Sequence, residues 1–270
     1  VPGQSQQDGG ARESAELELR AVAVIQTKQR ADMGDLGRAR PVRAVLFDLD
    51  GTLIDTELQT DTAVSAIAAR CGVAGFSLPH TETRGRTWMH VADEMRARTG
   101  IDVPASDLAA AMLAHWSAST SDAGIIPGAP EAIRAAAARQ LKLAVVSSSP
   151  RPVIDYFLDR LGVSDCIGRN ARIGSESVRV TKPDPEGFLL AARALDVEPV
   201  DTLVFEDSRA GLLAARAAGM RAMFVTCCAA EVTENSKLAT AICTHYLTLP
   251  PRFWDDLASG NADLGHRSFT

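Results

Sequence analysis

Residues 42–55 read Val-Arg-Ala-Val-Leu-Phe-Asp-Leu-Asp-Gly-Thr-Leu-Ile-Asp. Val42 to Phe47 is apolar at every position but Arg43, and the run is too short for a helix. A short apolar run of this kind suits a parallel strand buried on both faces. It ends in Asp48-Leu49-Asp50-Gly51. Alternate side chains of an extended chain share a face, so Asp48 and Asp50 lie on the same side, one residue apart. Two carboxylates so close repel unless a cation sits between them or one holds a proton. Gly51 lets the chain turn sharply away from the pair. A lone Asp-x-Asp occurs in many loops, but Asp-x-Asp-Gly-Thr-Leu-x-Asp at the end of an apolar strand is far more specific.

Further along, Leu141 to Val146, Thr202 to Phe205 and Arg221 to Val225 are runs of the same kind. Helical patterns at 130–140, 152–162, 185–196 and 209–218 alternate with them. Such alternation predicts right-handed βαβ units and an α/β fold, a Rossmann-like parallel sheet flanked by helices. Residues 58–125 break the rhythm, with helical patterns at 58–71, 88–98 and 106–118 and no convincing strand. A small α-helical cap is therefore expected at 58–125, inserted into a core made of 41–57 and 126–257.

Open parallel sheets bind ligands at the carboxyl ends of their strands. The second run delivers Ser147, then Ser148, Ser149 and Pro150. This reads as a helix start, Ser149 at the N-cap and Pro150 at the first helical position. A hydroxyl and free backbone N–H groups there also form a ready anion site. Thr181-Lys182-Pro183-Asp184-Pro185 follows. Proline keeps the residue before it extended, so Lys182 stands on a stiff mount suited to a fixed counter-charge for phosphate. It is one of only four lysines among 28 basic residues. The third run ends in Glu206-Asp207-Ser208, acids favoured at the start of the helix that follows. That helix, Arg209 to Ala218, is rich in Ala and Gly with Gly219 as its stop, and its small residues permit close packing on the sheet.

In this order the motifs resemble the haloacid dehalogenase superfamily, and within it the branch with a helical cap after the first motif, which contains sugar-phosphate phosphatases and β-phosphoglucomutase. The resemblance spans roughly residues 43–250 and rests on Asp48-x-Asp50-Gly51-Thr52, Ser147, Lys182-Pro183 and Glu206-Asp207. It implies that Asp48 is a nucleophile that becomes an aspartyl-phosphate and Asp50 the general acid and base. It implies that Ser147 and Lys182 hold the phosphoryl oxygens. Mg²⁺ would be bound by Asp48, the Asp50 backbone carbonyl and Asp207, with Glu206 in support or as a direct ligand.

Departures from the family's patterns narrow the reaction. No lysine lies between Arg43 and Leu141, so the Schiff-base chemistry of members that cleave carbon–phosphorus bonds is unavailable. Members that release halide lack the second aspartate, which Asp50 supplies here. Thr60 and Trp88 stand where the mutases of the branch carry a histidine and a cap arginine, which favours a phosphatase. Thr83-Arg84-Gly85-Arg86-Thr87-Trp88 is the most unusual stretch of the expected cap, and Arg84 and Arg86 are its candidate substrate contacts. His90 and His115 read as surface or packing residues.

The 270 residues suffice for one large domain, or for a core with a smaller one. Apolar residues make up 46% and charged residues 23%, which excludes a disordered or fibrous chain. The net charge of −6 argues against a nucleic-acid or membrane coat. No stretch approaches the roughly 18 consecutive apolar residues of a membrane span. Five cysteines without a Cys-x-x-Cys pair read as free thiols in a reducing cytoplasm. Adjacent Cys227 and Cys228 are redox candidates, though no cationic neighbour in sequence lowers a thiol pKa there. Residues 1–40 read as a loose tail or a mis-assigned upstream start. The expectation is a cytoplasmic, Mg²⁺-dependent phosphatase of a small phosphorylated metabolite, a sugar phosphate or sugar-acid phosphate. It is expected to be a monomer or weak homodimer, with no nucleic-acid or membrane partner. A hexose-phosphate mutase is the alternative, and a phosphate-sensing or partner-binding module a more distant one.

Overall fold

The strand expected at residues 42–47 forms as β1 (Ala44–Phe47), with all four residues buried. It lies inside a seven-stranded sheet of order β5-β4-β1-β6-β7-β8-β9 in this computed structural model. The others are β4 (Lys142–Val146), β5 (Arg172–Ile173), β6 (Thr202–Glu206), β7 (Arg221–Val225), β8 (Ala241–Cys243) and β9 (Arg267–Phe269). All pairings in this sheet are parallel. The structure describes residues 40–269 apart from 230, 263 and 266, so the expected N-terminal extension lies outside the described residues save Arg40.

Register places the motifs. Phe47 sits opposite Val145 of β4 and Phe205 of β6, so Asp48, Ser147 and Glu206-Asp207 gather at the carboxyl end of the sheet. Phe47 and Phe205 stack with ring centroids 5.3 Å apart, which locks the two strands at the level where they release the acids.

Four helices occupy the insertion: α1 (Glu57–Arg70), α2 (His80–Thr83), α3 (Trp88–Thr99) and α4 (Ala105–Ser119). Of these, α1, α3 and α4 share a hydrophobic cluster of their own, including Val64, Ile67, Val91, Met95, Leu108 and Met112. Thr87 caps α3 by accepting a hydrogen bond from the His90 N–H at 3.3 Å. Around the sheet lie α5 (Ala129–Ala138), α6 (Arg151–Arg160), α7 (Glu186–Ala194), α8 (Arg209–Ala217), α9 (Val232–Ser236) and α10 (Phe253–Ser259). Among the described residues no helix is long and apolar enough to cross a membrane.

Three differences from the sequence reading stand out. The insertion is bracketed by an antiparallel ribbon of β2 (Ile54–Asp55) and β3 (Gly124–Ile125), two residues each and too short to show a period. The sheet continues through β8 and β9, the latter beyond residue 257, where the sequence reading ended the core. The helix after Ser147 begins at Arg151 with Pro150 at the N-cap, one residue later than expected, which leaves Ser149 outside it.

Candidate active site

Asp48 follows β1 directly, and its N–H donates to the Phe205 carbonyl at 3.0 Å, tying the residue to β6. The chain then coils on itself: the Leu53 N–H reaches the Leu49 carbonyl at 2.8 Å, and the Gly51 N–H reaches that of Ile54 at 2.7 Å. Gly51 has φ +82°, and a Cβ there would lie 2.1 Å from Asp207 Oδ2, so no side chain fits. The turn thereby seats Asp50 beyond Asp48 and brings the backbone against Asp207.

Lys182 is buried among acids. Its Nζ lies 2.5 Å from Asp48 Oδ1 and 2.8 Å from Glu206 Oε2. The other Glu206 oxygen accepts from the Ser208 N–H at 3.0 Å and the Ser208 hydroxyl at 2.7 Å. A Cβ at Gly211 would lie 2.0 Å from the Glu206 carboxylate, which is the close packing that the small residues of α8 permit. Burial and the charge of Glu206 push Asp48 up to about 8 despite Lys182. Lys182 is raised: burial opposes its charge, but Asp48 and Glu206 outweigh that cost.

Asp50 occupies a different setting. Its Oδ2 accepts from the Ser149 hydroxyl at 2.9 Å and the Ser147 hydroxyl at 3.3 Å, and its Oδ1 from Thr56 at 3.0 Å. Burial raises its pKa against these donors. Ser147 Oγ also accepts the Ser149 N–H at 2.9 Å.

Asp48, Glu206 and Asp207 offer carboxylate oxygens that all lie within 4.8 Å of one another, and all three residues are buried. Asp207 Oδ2 has no hydrogen-bond donor, Thr52 reaches the other oxygen at 3.4 Å, and burial with the charges of Glu206 and Asp48 raises the carboxyl well above its usual range. A buried, hard-oxygen cluster whose charges repel is the donor set a divalent cation satisfies.

Arg84 and Arg86 stand at the rim. Arg84 Nε lies 3.0 Å from Glu57 Oε2, and its NH1 is 3.8 Å from Asp207 Oδ2. Arg86 NH1 donates to the Lys182 carbonyl at 3.5 Å, and the Ser148 hydroxyl donates to that of Gly85 at 2.8 Å. These contacts hold residues 84–86 over the strand ends and border a cleft open to solvent, lined by Asp48, Asp50, Glu57, Thr60, Trp88 and Trp116 among others. Trp88 and Trp116 meet edge to face at 6.0 Å. His90 lies with Glu82 and Glu94, and both acids are paired with Arg98.

All eight candidate residues therefore gather at one end of the sheet. Sequence reasoning passed over Thr56, Glu57, Ser149 and Trp116. Thr56 and Glu57 directly follow the first motif, where proximity was the available signal. Ser149 was assigned to a helix cap, and Trp116 is brought in only by tertiary packing.

The haloacid dehalogenase-like hydrolase family matches residues 42–219, and the chain belongs to that family. Among its relatives is the validoxylamine A 7'-phosphate phosphatase of Streptomyces hygroscopicus subsp. limoneus, 34% identical over 180 residues, 66% of this chain and 83% of the relative. A phosphorylated carbohydrates phosphatase of Thermotoga maritima is 29% identical over 191 residues, 68% of this chain and 84% of the relative. The fold matches that of β-phosphoglucomutase from Clostridium difficile with a TM-score of 0.67 at 22% identity, over 81% of this chain and 97% of that one.

Proposed function

We propose that this enzyme is a Mg²⁺-dependent phosphatase that hydrolyses a small phosphorylated metabolite, a sugar phosphate or sugar-acid phosphate, through an aspartyl-phosphate. The reading rests on the contrast between its two neighbouring aspartates. Asp48 faces Lys182 and the acidic cluster, whereas Asp50 is ringed by hydroxyls. Environments so different suit two roles, nucleophile and proton carrier.

An Asp48 oxygen attacks phosphorus in line while Asp50 protonates the departing ester oxygen. Asp50 then takes a proton from water as that water attacks the phosphorus, releasing phosphate and restoring Asp48. Lys182 and Ser147 hold the phosphoryl oxygens. Asp48, the Asp50 carbonyl and Asp207, with Glu206 behind, would bind Mg²⁺, which supplies positive charge where phosphoryl charge accumulates. Residues 58–125 act as a cap that excludes water and presents Arg84, Arg86 and Trp88 to the substrate. The aromatic edge made by Trp88 and Trp116 favours a leaving group with an apolar ring face. Relatives that act on phosphorylated carbohydrates support this substrate class. The same reading places the enzyme in the cytoplasm as a monomer or weak homodimer; the cysteines of the described residues are free.

The test is phosphate release from a panel of sugar, sugar-acid and short-chain acid phosphates, with Mg²⁺, with chelator, and with Asp48→Asn. Release that needs Mg²⁺ and vanishes in the variant supports the reading. Release that survives Asp48→Asn overturns the covalent mechanism.

A further inference from the structure

Cys227 and Cys228 follow β7 at the same end of the sheet as the acids. On a strand, consecutive side chains point to opposite faces. Here the Ala229 N–H donates to the Thr226 carbonyl at 3.2 Å, closing a turn with the two cysteines at its central positions. The turn brings their sulfurs to 3.6 Å. Cys227 is exposed and Cys228 half-buried, so a small oxidant reaches the first and the second waits behind it. The hydrogen bond with Cys227, burial and the charge of the nearby Asp55 carboxylate raise the Cys228 thiol, and Asp55 accepts the N–H of Glu57, the first residue of α1, at 3.4 Å. Glu57 in turn pairs with Arg84 at the cavity rim. The thiol pair thus neighbours a carboxylate from which polar contacts run to the substrate cavity.

We propose that Cys227 and Cys228 are a peroxide-responsive dithiol that closes reversibly into a disulfide between adjacent residues and thereby modulates turnover. The Cys227 sulfur attacks one oxygen of a hydroperoxide; the O–O bond breaks, leaving a sulfenic acid on Cys227 and releasing water or an alcohol. The Cys228 sulfur then attacks the Cys227 sulfur, the S–O bond breaks, and a second molecule of water leaves with the Cys228 proton. Two thiols are oxidised and one peroxide is reduced. The disulfide removes the Cys228 thiol beside Asp55 and so alters the surroundings of that carboxylate at the start of α1.

The surrounding chemistry is consistent. The hydrogen bond from Cys228 holds the Cys227 thiol below its usual range, while Cys228 is kept protonated by that same bond and by burial. Burial pushes Cys243 up to about 12, and burial with Asp165 raises Cys166, so neither competes for oxidant.

The test treats the reduced full-length protein with graded hydrogen peroxide, then iodoacetamide, and maps the peptides by mass spectrometry. The expected product is a peptide spanning 227–228 that has lost two hydrogens, is unalkylated at both sulfurs, and is restored by dithiothreitol. Dimedone should trap a sulfenic acid on Cys227 in Cys228→Ser and none on Cys228 in Cys227→Ser. Phosphate release should fall on the order of ten-fold on oxidation, the scale of disturbing the hydrogen bond from Glu57 to the charged Asp55 carboxylate, and recover on reduction. Asp48→Asn should still form the disulfide, which separates this inference from the assigned catalysis. Alkylation of both sulfurs at peroxide levels that oxidise Cys71 or Cys166 overturns the dithiol. A disulfide that leaves turnover unchanged overturns the link through Asp55.

Discussion

Glu206 Oε2 lies 2.8 Å from the Lys182 ammonium, and the carboxylate's other oxygen is held by Ser208. Glu206 is thus engaged on both sides within the protein. It holds the lysine against Asp48 and ties the end of β6 to the start of α8, so toward a cation held by Asp48 and Asp207 it would act mainly through its charge.

Removing the lysine should therefore cost stability as well as turnover. Lys182→Met leaves Asp48 and Glu206 buried without their cation, and breaking a buried pair costs about 3–5 kcal/mol. The urea midpoint of metal-free protein should fall accordingly, and phosphate release should be lost. Glu206→Gln keeps an oxygen for Ser208 and one partner for Lys182, so a smaller loss in both measurements is expected. Equal stability of Lys182→Met and wild type would show that the network is not formed in solution.

Stability should depend on pH in an unusual direction near neutrality. Asp48 is raised from 3.8 to about 8, and Asp207 is raised as well. Between 3.8 and about 8 the folded chain holds more protons at these sites than the unfolded chain, so their contribution to stability falls as pH rises through that window. Below 3.8 both states are protonated, and their contribution is at its fullest. Mg²⁺ bound at the acidic cluster, as proposed above, would supply the missing counter-charge and stabilise the folded state by mass action. Melting temperature in chelator should therefore decline from pH 5.5 to 8, with the largest Mg²⁺-induced increase at the alkaline end. A Mg²⁺ effect that is largest at pH 5.5 would contradict the cluster's assignment.

How much of this could be read beforehand varied with the physics behind each feature. β1, β4, β6 and β7 are buried apolar runs, and the longer helices carry extended patterns, so both were visible in sequence. β2, β3 and β5 have two residues each and are defined by their partners rather than by any period of their own. The site divides in the same way. Asp48, Asp50 and Asp207 sit beside turn residues that announce a strand end, and Lys182 stands out because it precedes a proline. Ser149 looked like a cap because local chemistry favours serine before a helix. Its hydroxyl instead points to Asp50, a partner that only the β1–β4 register brings near. Trp116 is 2% exposed and reads as core from its helix alone.

The Ser149–Asp50 hydrogen bond has a kinetic signature. The Ser149 hydroxyl favours the ionised form of Asp50 and so works against the upward shift that burial imposes. Ser149→Ala should raise the Asp50 pKa further, because one hydrogen bond to the ionised form is lost. The proposed first step needs Asp50 protonated, so the basic limb of kcat/KM against pH should move to higher pH. A profile that keeps its limbs while falling uniformly would show that Ser149 does not act through Asp50.

Trp88 tests the cavity. It lines the space above Asp48 and Asp50 and packs edge to face on Trp116, whose indole N–H has no hydrogen-bond partner. A sugar ring laid against this edge exchanges water for aromatic surface and can give the N–H a hydroxyl to meet. Burying an aromatic surface is worth about 1.5–3 kcal/mol, so Trp88→Ala should lower kcat/KM for ring-bearing phosphate esters by roughly ten-fold or more. Trp88→Phe should recover part of the loss. Acetyl phosphate carries no ring, reaches Asp48 without touching the tryptophan, and should be hydrolysed at nearly the wild-type rate by both variants. Equal losses on acetyl phosphate and on ring esters would mean that Trp88 supports the architecture of the site and does not select its substrate.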